Sequence, residues 1–278
     1  MELQKLTPIT SAANARIRHL KVLQTKARAR REEQVFIIEG SRIFRDAPEE
    51  VLREIYLTRA FLDRAGEAEL RRAEAFAAAG KAFLLPDTLM EKVSETETPQ
   101  GILCVAAMPE QAENISMADT EGQAPLLLLL EDLQDPGNLG TIFRTAEAAG
   151  ATCICMSSGC ADVFSPKTVR ATMSSIFRVP FRITADLPAL TASLGEQGIL
   201  TCAAHLEGSC VYDRPCYTGG TAFLIGNEGR GLSDAAAAAA AERVRIPMQG
   251  SIESLNAAMA AGILLYEAAR QRRCADGV

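Results

Sequence analysis

Short apolar runs alternate with helix-like segments throughout residues 125–278, and this alternation leaves few folds open to the chain. The runs predict strands at residues 126–131, 152–156, 179–183, 199–204, 222–225 and 244–246. The segments between them predict helices near residues 138–149, 187–196, 233–241 and 254–272, with another starting after Ser165. Strands that alternate with helices form a mostly parallel sheet covered on both faces, so we expect an α/β domain.

Polar residues and glycine directly follow three of these predicted strands. The segments are EDLQDPGNLG from Glu131, GNEGRGLS from Gly226 and PMQGSIESLN from Pro247. In open α/β sheets, ligands bind at the carboxyl edge of the strands. Three such segments at one edge therefore point to an enzyme.

Residues 1–108 have a different pattern, which predicts a smaller α/β sandwich domain. A basic helix is expected from Ser11 or Asn14 to about residue 33, followed by strands at residues 35–39, 54–58, 82–85 and 102–107. Helices are expected at residues 62–79 and 87–93. Residues 109–124 lack periodicity and are rich in turn formers, so we assign them as a linker to a second domain over residues 125–278.

The composition is that of a globular chain with a hydrophobic core. Of the 278 residues, 48% are hydrophobic and 23% are charged, and apolar runs such as residues 126–130 are far shorter than a membrane span. The first residues lack the apolar stretch of a signal peptide. Eight cysteines without a CxxC motif, and only two histidines, argue against a zinc site. We therefore expect free thiols, no bound metal and a cytoplasmic protein.

The charge of the chain is unevenly distributed. The net charge is −6, yet residues 1–31 carry eight Lys or Arg against one acid, so this end has a charge of +7 and the remainder −13. Such an asymmetry can mark an electrostatic contact with a polyanion. The candidates in this segment are Arg16, Arg18, Lys21 and Arg30. The alternative is an ordinary solvated helix face.

The glycine-rich segment Gly226–Gly231 has two interpretations. Its GxxGxG spacing is the reverse of a dinucleotide-binding fingerprint, and the chain contains no phosphate-binding GxxxxGK loop. The segment offers tightly turned backbone with free polar groups beside the carboxylate of Glu228. It could equally be a simple turn between a strand and a helix.

Two predicted helices begin at polar segments. Asn138 is expected to cap the first, and Arg144 on its second turn could reach the sheet edge as an anion partner or lie on a solvated face. Ser254 could cap the last helix, whose Ala257–Gly262 segment is rich in small residues. That face is suited to close packing in the core or to a subunit interface.

Together these segments resemble the three motifs of the SpoU (TrmH-type) RNA 2′-O-ribose methyltransferases. The motifs are Asn138 with Arg144, then Gly226–Gly231, then IPM from Ile246 followed by SLN from Ser254. The segments FIIEG from Phe36, TPQGI from Thr98 and SPKTVRATM from Ser165, with Ser11 and Asn14, resemble that family's substrate-binding domain and linking segment.

The resemblance implies a fold and a cofactor. The implied fold is α/β, with a carboxyl-terminal SPOUT-type parallel sheet containing a deep trefoil knot and a smaller amino-terminal α/β sandwich that binds RNA. S-adenosylmethionine would be held largely by main-chain groups and apolar side chains. The positions implied to bind it are Gly226, Asn227, Gly229, Ile246, Met248, Leu255 and Leu206. At Gly226 a side chain would then occupy space against the methyl donor.

The implied reaction is methyl transfer to a ribose 2′-oxygen. Arg144 would act either as the base or as electrostatic support for the developing negative charge. Arginine's very high pKa makes the first role costly, so we favour the second. Asn138, Glu228, Ser254 and Asn256 would orient Arg144, the ribose and the loops, since methyl transfer demands alignment.

The resemblance also implies the partners. The substrate would be structured RNA, ribosomal RNA in the first place and transfer RNA as a second possibility. The implied RNA contacts are Arg16, Arg18, Lys21, Arg30, Arg42 and Arg170. The protein would form a homodimer through the knot region.

Two other classes are weaker interpretations. A non-catalytic RNA-binding protein with this fold would show losses in the motifs, whereas Arg144, Glu228 and Asn256 are all present. A nicotinamide-dependent oxidoreductase would need an early GxGxxG loop, which the sequence lacks.

Overall fold

The structure is a computed structural model that describes residues 6–112, 123–208 and 210–275. Most of the predicted linker, residues 113–122, lies outside the described residues. The chain forms two compact units, Met1–Pro109 with Asp162–Phe177 and Glu110–Ala161 with Arg178–Val278. Residues 162–177, which the sequence places inside the second domain, are thus part of the first unit.

The strands and helices are numbered along the chain. The strands are β1 (Thr7–Pro8), β2 (Val35–Glu39), β3 (Leu52–Leu57), β4 (Ala82–Leu84), β5 (Ile102–Ala107), β6 (Leu126–Leu130), β7 (Cys153–Ser157), β8 (Phe181–Thr184), β9 (Leu200–Ala204), β10 (Cys210–Val211), β11 (Thr221–Ile225) and β12 (Glu242–Arg245). The helices are α1 (Ala15–Thr25), α2 (Ala27–Glu33), α3 (Ser41–Asp46), α4 (Arg59–Leu62), α5 (Glu67–Ala78), α6 (Asp87–Val93), α7 (Pro136–Ala148), α8 (Pro166–Thr172), α9 (Leu187–Glu196), α10 (Asp234–Ala239) and α11 (Ala257–Ala275).

The first unit is built on a mixed five-stranded sheet in the order β1-β4-β3-β5-β2. Strand β5 runs antiparallel to both β2 and β3, so β2 and β3 end at the same edge of the sheet. The predicted basic helix over residues 14–33 is two helices, because Lys26 takes an extended conformation with φ −114° and ψ 100°. Ile17, Leu20 and Leu23 of α1 are fully buried, so this helix is part of the core.

Residues 162–177 complete the hydrophobic core of the first unit. The rings of Phe164 and Phe177 lie 5.1 and 6.0 Å from the buried ring of Phe36 on β2. The carboxylate of Asp162 also accepts a hydrogen bond from Arg30, whose side chain is only 4% exposed. These contacts explain why a segment from the second half of the sequence folds with the first unit.

The second unit contains the predicted parallel sheet, with seven strands in the order β10-β12-β9-β11-β6-β7-β8. Every residue of β6 and β11 is buried, as expected for central strands of a sheet that is covered on both faces. Helix α11 packs against α7 and β11. Within the described residues, no helix has both the length and the hydropathy of a membrane span.

Candidate active site

Strands β6 and β11 deliver two of the polar segments to the same edge of the sheet. The last residues of these strands, Leu130 and Ile225, are paired, and the Glu131 amide donates to the Ile225 carbonyl over 2.9 Å. Glu131 and the glycine-rich loop therefore start side by side. The polar edge that the sequence predicts is present.

Glu228 in the glycine-rich loop accepts three hydrogen bonds from the first motif. Its carboxylate receives the backbone N–H groups of Gln134 and Asp135 at 3.0 and 3.1 Å, and the Nδ2 of Asn138 at 3.0 Å. Partial burial raises the pKa of Glu228, but the Asn138 amide and the backbone donors outweigh it and lower that pKa below its ordinary value. The carboxylate is therefore held in its charged form.

The third motif joins this arrangement through Asn256. Its Nδ2 donates to Oδ1 of Asn138 over 2.8 Å, while its own Oδ1 accepts the backbone N–H groups of Ala258 and Met259 at 2.9 and 3.3 Å. A chain of hydrogen bonds therefore runs from the start of α11 through two amides to Glu228. It connects the three motifs that the sequence separates.

The caps of two helices differ from those predicted. Asp135, and not Asn138, caps α7, since its Oδ1 accepts the Asn138 backbone N–H at 2.7 Å. Asn256, and not Ser254, occupies the start of α11, which begins at Ala257. Asn138 consequently lies inside the first turn with its amide free to link Glu228 and Asn256.

Asn227 fixes the shape of the glycine-rich loop. Its Oδ1 accepts the N–H groups of Gly229 and Arg230 at 2.9 and 3.0 Å, and its Nδ2 donates to the Asp132 carbonyl at 2.8 Å. Asn227 and Gly231 also exchange backbone hydrogen bonds, so the loop folds back on itself. A Cβ atom at Gly226 would lie 2.2 Å from the carbonyl carbon of Gly231. Glycine at this position is required by the returning loop itself, which differs from the steric reason that the resemblance implied.

Sequence reasoning missed a second clamp between the same two segments. Glu131 accepts the backbone N–H of Ser233 at 2.7 Å and its hydroxyl at 2.7 Å, while the Ser233 hydroxyl accepts the N–H of Ala236 and caps α10. The sequence feature that could have predicted these hydrogen bonds is an acidic residue immediately after a buried strand. This clamp holds the far side of the glycine-rich loop.

Apolar side chains lie on the loops that follow β9 and β12. Leu206 and Leu255 are 61% and 37% exposed, and Ile252, which the sequence did not single out, is 68% exposed. Ile246 and Met248 are half-buried. The β9 loop lies against β12, because the His205 N–H donates to the Val244 carbonyl at 2.9 Å. Exposed apolar side chains can pack against an adenine ring, and turned backbone offers N–H and C=O groups for hydrogen bonds. This combination suits an adenosine-containing cofactor that carries no phosphate.

Two predicted catalytic residues make none of these contacts. Arg144 is exposed on α7, six positions after Asn138 and thus about 9 Å further along the helix axis. Ser254 is also exposed. Among the described residues, neither side chain forms a hydrogen bond or an ion pair, so both are free to meet a substrate.

The small residues of α11 pack inside their own unit. Ala257, Ala258 and Ala261 are at most 6% exposed. The alternative of core packing is therefore the correct one for these alanines. The exposed apolar residues of this helix are Met259 and Tyr266 instead.

The predicted RNA contacts all belong to the first unit, and the prediction for Arg30 is wrong. Arg30 is buried and donates to the Leu23 and Gln24 carbonyls as well as to Asp162, so it cannot reach a phosphate. Arg16 pairs with Glu54 and lies 4.3 Å from the centre of the Phe83 ring, although its side chain is 45% exposed. Arg18, Lys21 and Arg42 are exposed, and Arg170 is half-buried.

Two family models match the chain. The SpoU rRNA Methylase family matches residues 125–266, and the MRM3-like substrate binding domain matches residues 14–104. Among known proteins, the 23S rRNA (guanosine(2553)-2′-O)-methyltransferase of Bacillus subtilis (strain 168) is 33% identical over 260 residues, or 93% of this chain and 97% of that protein.

Solved structures match over nearly the whole chain. An AdoMet-bound rRNA methyltransferase from Sinorhizobium meliloti has a TM-score of 0.79 at 28% identity, covering 96% of this chain and 98% of that chain. The SpoU methyltransferase AviRb from Streptomyces viridochromogenes, in complex with the cofactor AdoMet, has a TM-score of 0.78 at 28% identity, covering 94% and 100%.

The parallel sheet with its three joined motifs is thus the fold of an RNA methyltransferase. The chain belongs to the SpoU rRNA methylase family. The predicted family and the predicted α/β fold with a parallel sheet are confirmed.

Proposed function

We propose that this protein transfers a methyl group from S-adenosylmethionine to a ribose 2′-hydroxyl of ribosomal RNA. The observation that carries the proposal is the hydrogen-bonded chain of Glu228, Asn138 and Asn256, which joins the three motifs of the methylase family at one sheet edge. The similar protein from Bacillus subtilis is named for 2′-O-methylation of 23S rRNA, which favours ribosomal over transfer RNA.

S-adenosylmethionine, when bound, supplies an electrophilic methyl group. Gly226, Asn227 and Gly229 would hold it by backbone groups, since the loop they form is already fixed by Asn227. The apolar wall would come from Ile246, Met248, Leu255 and Leu206. Glu228, Asn138 and Asn256 maintain the loops and do not themselves react, because their polar atoms already bond one another.

Arg144 would act on the RNA. Its guanidinium has no partner among the described residues, so it can approach the 2′-oxygen and stabilise the negative charge that develops as the hydroxyl proton leaves to water. A preorganised donor at such a position is worth about two to three orders of magnitude in rate. Ser254, also exposed, would orient the ribose.

The assembly and the location are part of the same proposal. Met259, Ile263 and Tyr266 are spaced as one face of α11, and this face is apolar and accessible. A second copy of the chain would cover it, giving a homodimer.

We also propose the knotted chain path that the family resemblance implies, and a cytoplasmic protein with eight free thiols.

The test is direct methyl transfer. The purified protein is incubated with S-adenosylmethionine labelled in its methyl group and with deproteinised 23S rRNA, 16S rRNA or transfer RNA. We expect label in 23S rRNA at a position resistant to alkaline hydrolysis, because a 2′-O-methyl group blocks that cleavage. Mapping of 2′-O-methyl sites in RNA from cells with and without the gene identifies the nucleotide. RNA binding without any transfer would favour the non-catalytic alternative.

A further inference from the structure

A cavity of about 430 Å³ opens beside the carboxyl end of β2 in the first unit. Three segments that are distant in sequence form its wall, namely residues 39–43, 96–100 and 170–174. Its volume is within the range of roughly 300–1,000 Å³ that is usual for small-ligand pockets. The roles proposed above for methyl transfer do not involve this cavity.

The wall of the cavity is fixed by hydrogen bonds between these segments. The Oε1 of Gln100 accepts the backbone N–H of Ser41 at 2.8 Å and its hydroxyl at 3.1 Å. Gly40 has a φ of 112°, and a Cβ atom there would lie 3.1 Å from the same Oε1 atom. The carboxylate of Glu39 accepts hydrogen bonds from the Glu95 N–H and the Thr96 hydroxyl. The cavity is therefore shaped before any ligand arrives, which lowers the entropic cost of binding.

The lining combines an apolar surface with unused hydrogen-bond donors. Ile43 and Met173 supply apolar contact. The Nη1 of Arg170 is buried and forms no hydrogen bond, although it is within ion-pair distance of the Glu95 carboxylate, at 3.6 Å. The amide –NH2 of Gln100 donates to no described residue. Nucleobases have flat apolar faces with acceptor atoms along their edges, and proteins bind unstacked RNA bases by such contacts, including the planes of arginine side chains.

Positive charge lies on both sides of the loop that carries Gln100. Arg42, with a side chain that is 61% exposed, lines the cavity itself. A second hollow on the other side of the loop shares Thr98 and Gln100 and is lined by Arg45 and Arg64. Arginine side chains bind phosphate oxygens, and they lie here on both sides of the loop.

We infer that this cavity receives a single unstacked base of the RNA substrate, while Arg42, Arg45 and Arg64 bind the flanking phosphates. The inference rests on the proposed function in taking RNA as the ligand. It assigns RNA recognition by the first unit to the carboxyl edge of its sheet, and not only to the basic helices at the start of the chain.

Two variants test the cavity, with one matched control. Gln100→Glu keeps the acceptor for Ser41 but replaces the free amide donors by a charge that repels phosphate. Arg42→Gln removes an exposed charge without touching the core. The control is Arg53→Gln, which removes the same charge near the start of β3, about 13 Å from the end of that strand.

The affinity for deproteinised 23S rRNA is measured by filter binding without S-adenosylmethionine, after circular dichroism has shown that each variant is folded. We expect Kd to rise about tenfold or more for Gln100→Glu and for Arg42→Gln, and less than about twofold for Arg53→Gln. If one variant is unfolded, the other decides. Wild-type affinity in a folded cavity variant would overturn the inference.

Mononucleotides distinguish RNA from a free nucleotide as the source of the base. AMP, GMP, CMP and UMP should bind far more weakly than RNA, because each carries a single phosphate, whereas a base within RNA has a phosphate on either side. A mononucleotide that binds tightly to the wild type and not to Gln100→Glu, with RNA affinity unchanged, would assign the cavity to a free nucleotide instead. Because binding is measured without the methyl donor, a failure of methyl transfer would contradict the proposed function and leave this result intact.

Discussion

At the scale of single residues, the site depends on one carboxylate and two amides. Glu228 accepts from Asn138, Asn138 accepts from Asn256, and Asn256 accepts from the first N–H groups of α11. Each amide therefore has one possible orientation. A change in any of the three side chains should disturb the loops that we propose hold the methyl donor, even though none of them needs to contact the reacting atoms.

The charge of Glu228 gives the fold a specific pH dependence. Its pKa is lowered in the folded protein, so its contribution to stability is present above the ordinary carboxyl pKa and is lost as the pH falls through the lower, folded value. We expect Glu228→Gln to reduce the Tm by about 2 °C at neutral pH, and this difference to shrink in acid. Glu253→Gln, which removes an exposed acid three positions before Asn256, should show no such pH-dependent difference. Equal Tm profiles for wild type and Glu228→Gln would contradict this assignment.

A substitution of Arg144 should affect methyl transfer and leave the binding of the methyl donor unchanged. Arg144→Ala should bind S-adenosylmethionine with unchanged affinity in calorimetry and lose about two or more orders of magnitude in methyl transfer. Arg144→Lys keeps the charge without the planar fork of donors and should recover part of the rate. Near-wild-type turnover of Arg144→Ala would remove this residue from the mechanism.

At the scale of helices and strands, the sequence predicted positions better than ends. Strands β2 and β6 lie within one residue of their predictions, because short apolar runs bounded by polar residues mark buried strands. Helix α7 starts two residues earlier than predicted and α11 three residues later. Each segment contains several residues that could cap a helix, and the sequence does not reveal at which of them the backbone becomes helical. The network at Glu228 was not predictable, because its bonds join residues 90 and 118 positions apart.

Arg30 on helix α2 shows why residue type alone does not predict an RNA contact. A buried arginine needs a specific partner, and Asp162 is 132 positions away in the sequence. We expect Arg30→Gln to lower the free energy of unfolding by about 3 kcal/mol, because it leaves the Asp162 carboxylate without its partner. Arg31→Gln, the adjacent exposed arginine, should change it by less than about 0.5 kcal/mol. Denaturant unfolding measures both, and equal effects would mean that the buried pair contributes nothing.

At the scale of the whole molecule, the protein is acidic, but helices α1 and α2 near its amino terminus are basic. The exposed basic residues of this segment that could contact RNA are Arg18, Lys21, Lys26, Arg28 and Arg31, together with the partly exposed Arg16. Deleting residues 1–31 would remove the buried apolar face of α1, so charge substitution is the informative experiment.

Replacing Arg18, Lys21 and Arg31 by Gln should weaken RNA binding and flatten its salt dependence. The slope of log K against log salt should fall in magnitude by about two, since fewer counterions are released. Arg53→Gln combined with Lys81→Gln is the control outside these helices. An unchanged slope in the folded triple variant would mean that the basic helices are only a solvated surface.

The proposed dimer depends on the exposed face of α11. Met259→Glu combined with Tyr266→Glu should convert the protein from dimer to monomer in sedimentation, because a buried apolar patch cannot accommodate two unpaired charges. Ile183→Glu changes another exposed apolar residue, on the edge strand β8, and should leave the dimer intact. A wild-type monomer at micromolar concentration would contradict the proposal.

Because Asp162–Phe177 folds with the first unit, the two units cannot be separated by dividing the gene at one point. The polypeptide passes between the two units three times, so a single protease cut in residues 109–124 would leave two covalent connections in place. A fragment ending at residue 108 would lack the Phe164 and Phe177 rings that cover Phe36, as well as the partner of buried Arg30. The substrate-binding half therefore cannot be exchanged between relatives as a self-contained module unless this short segment of the methylase half moves with it.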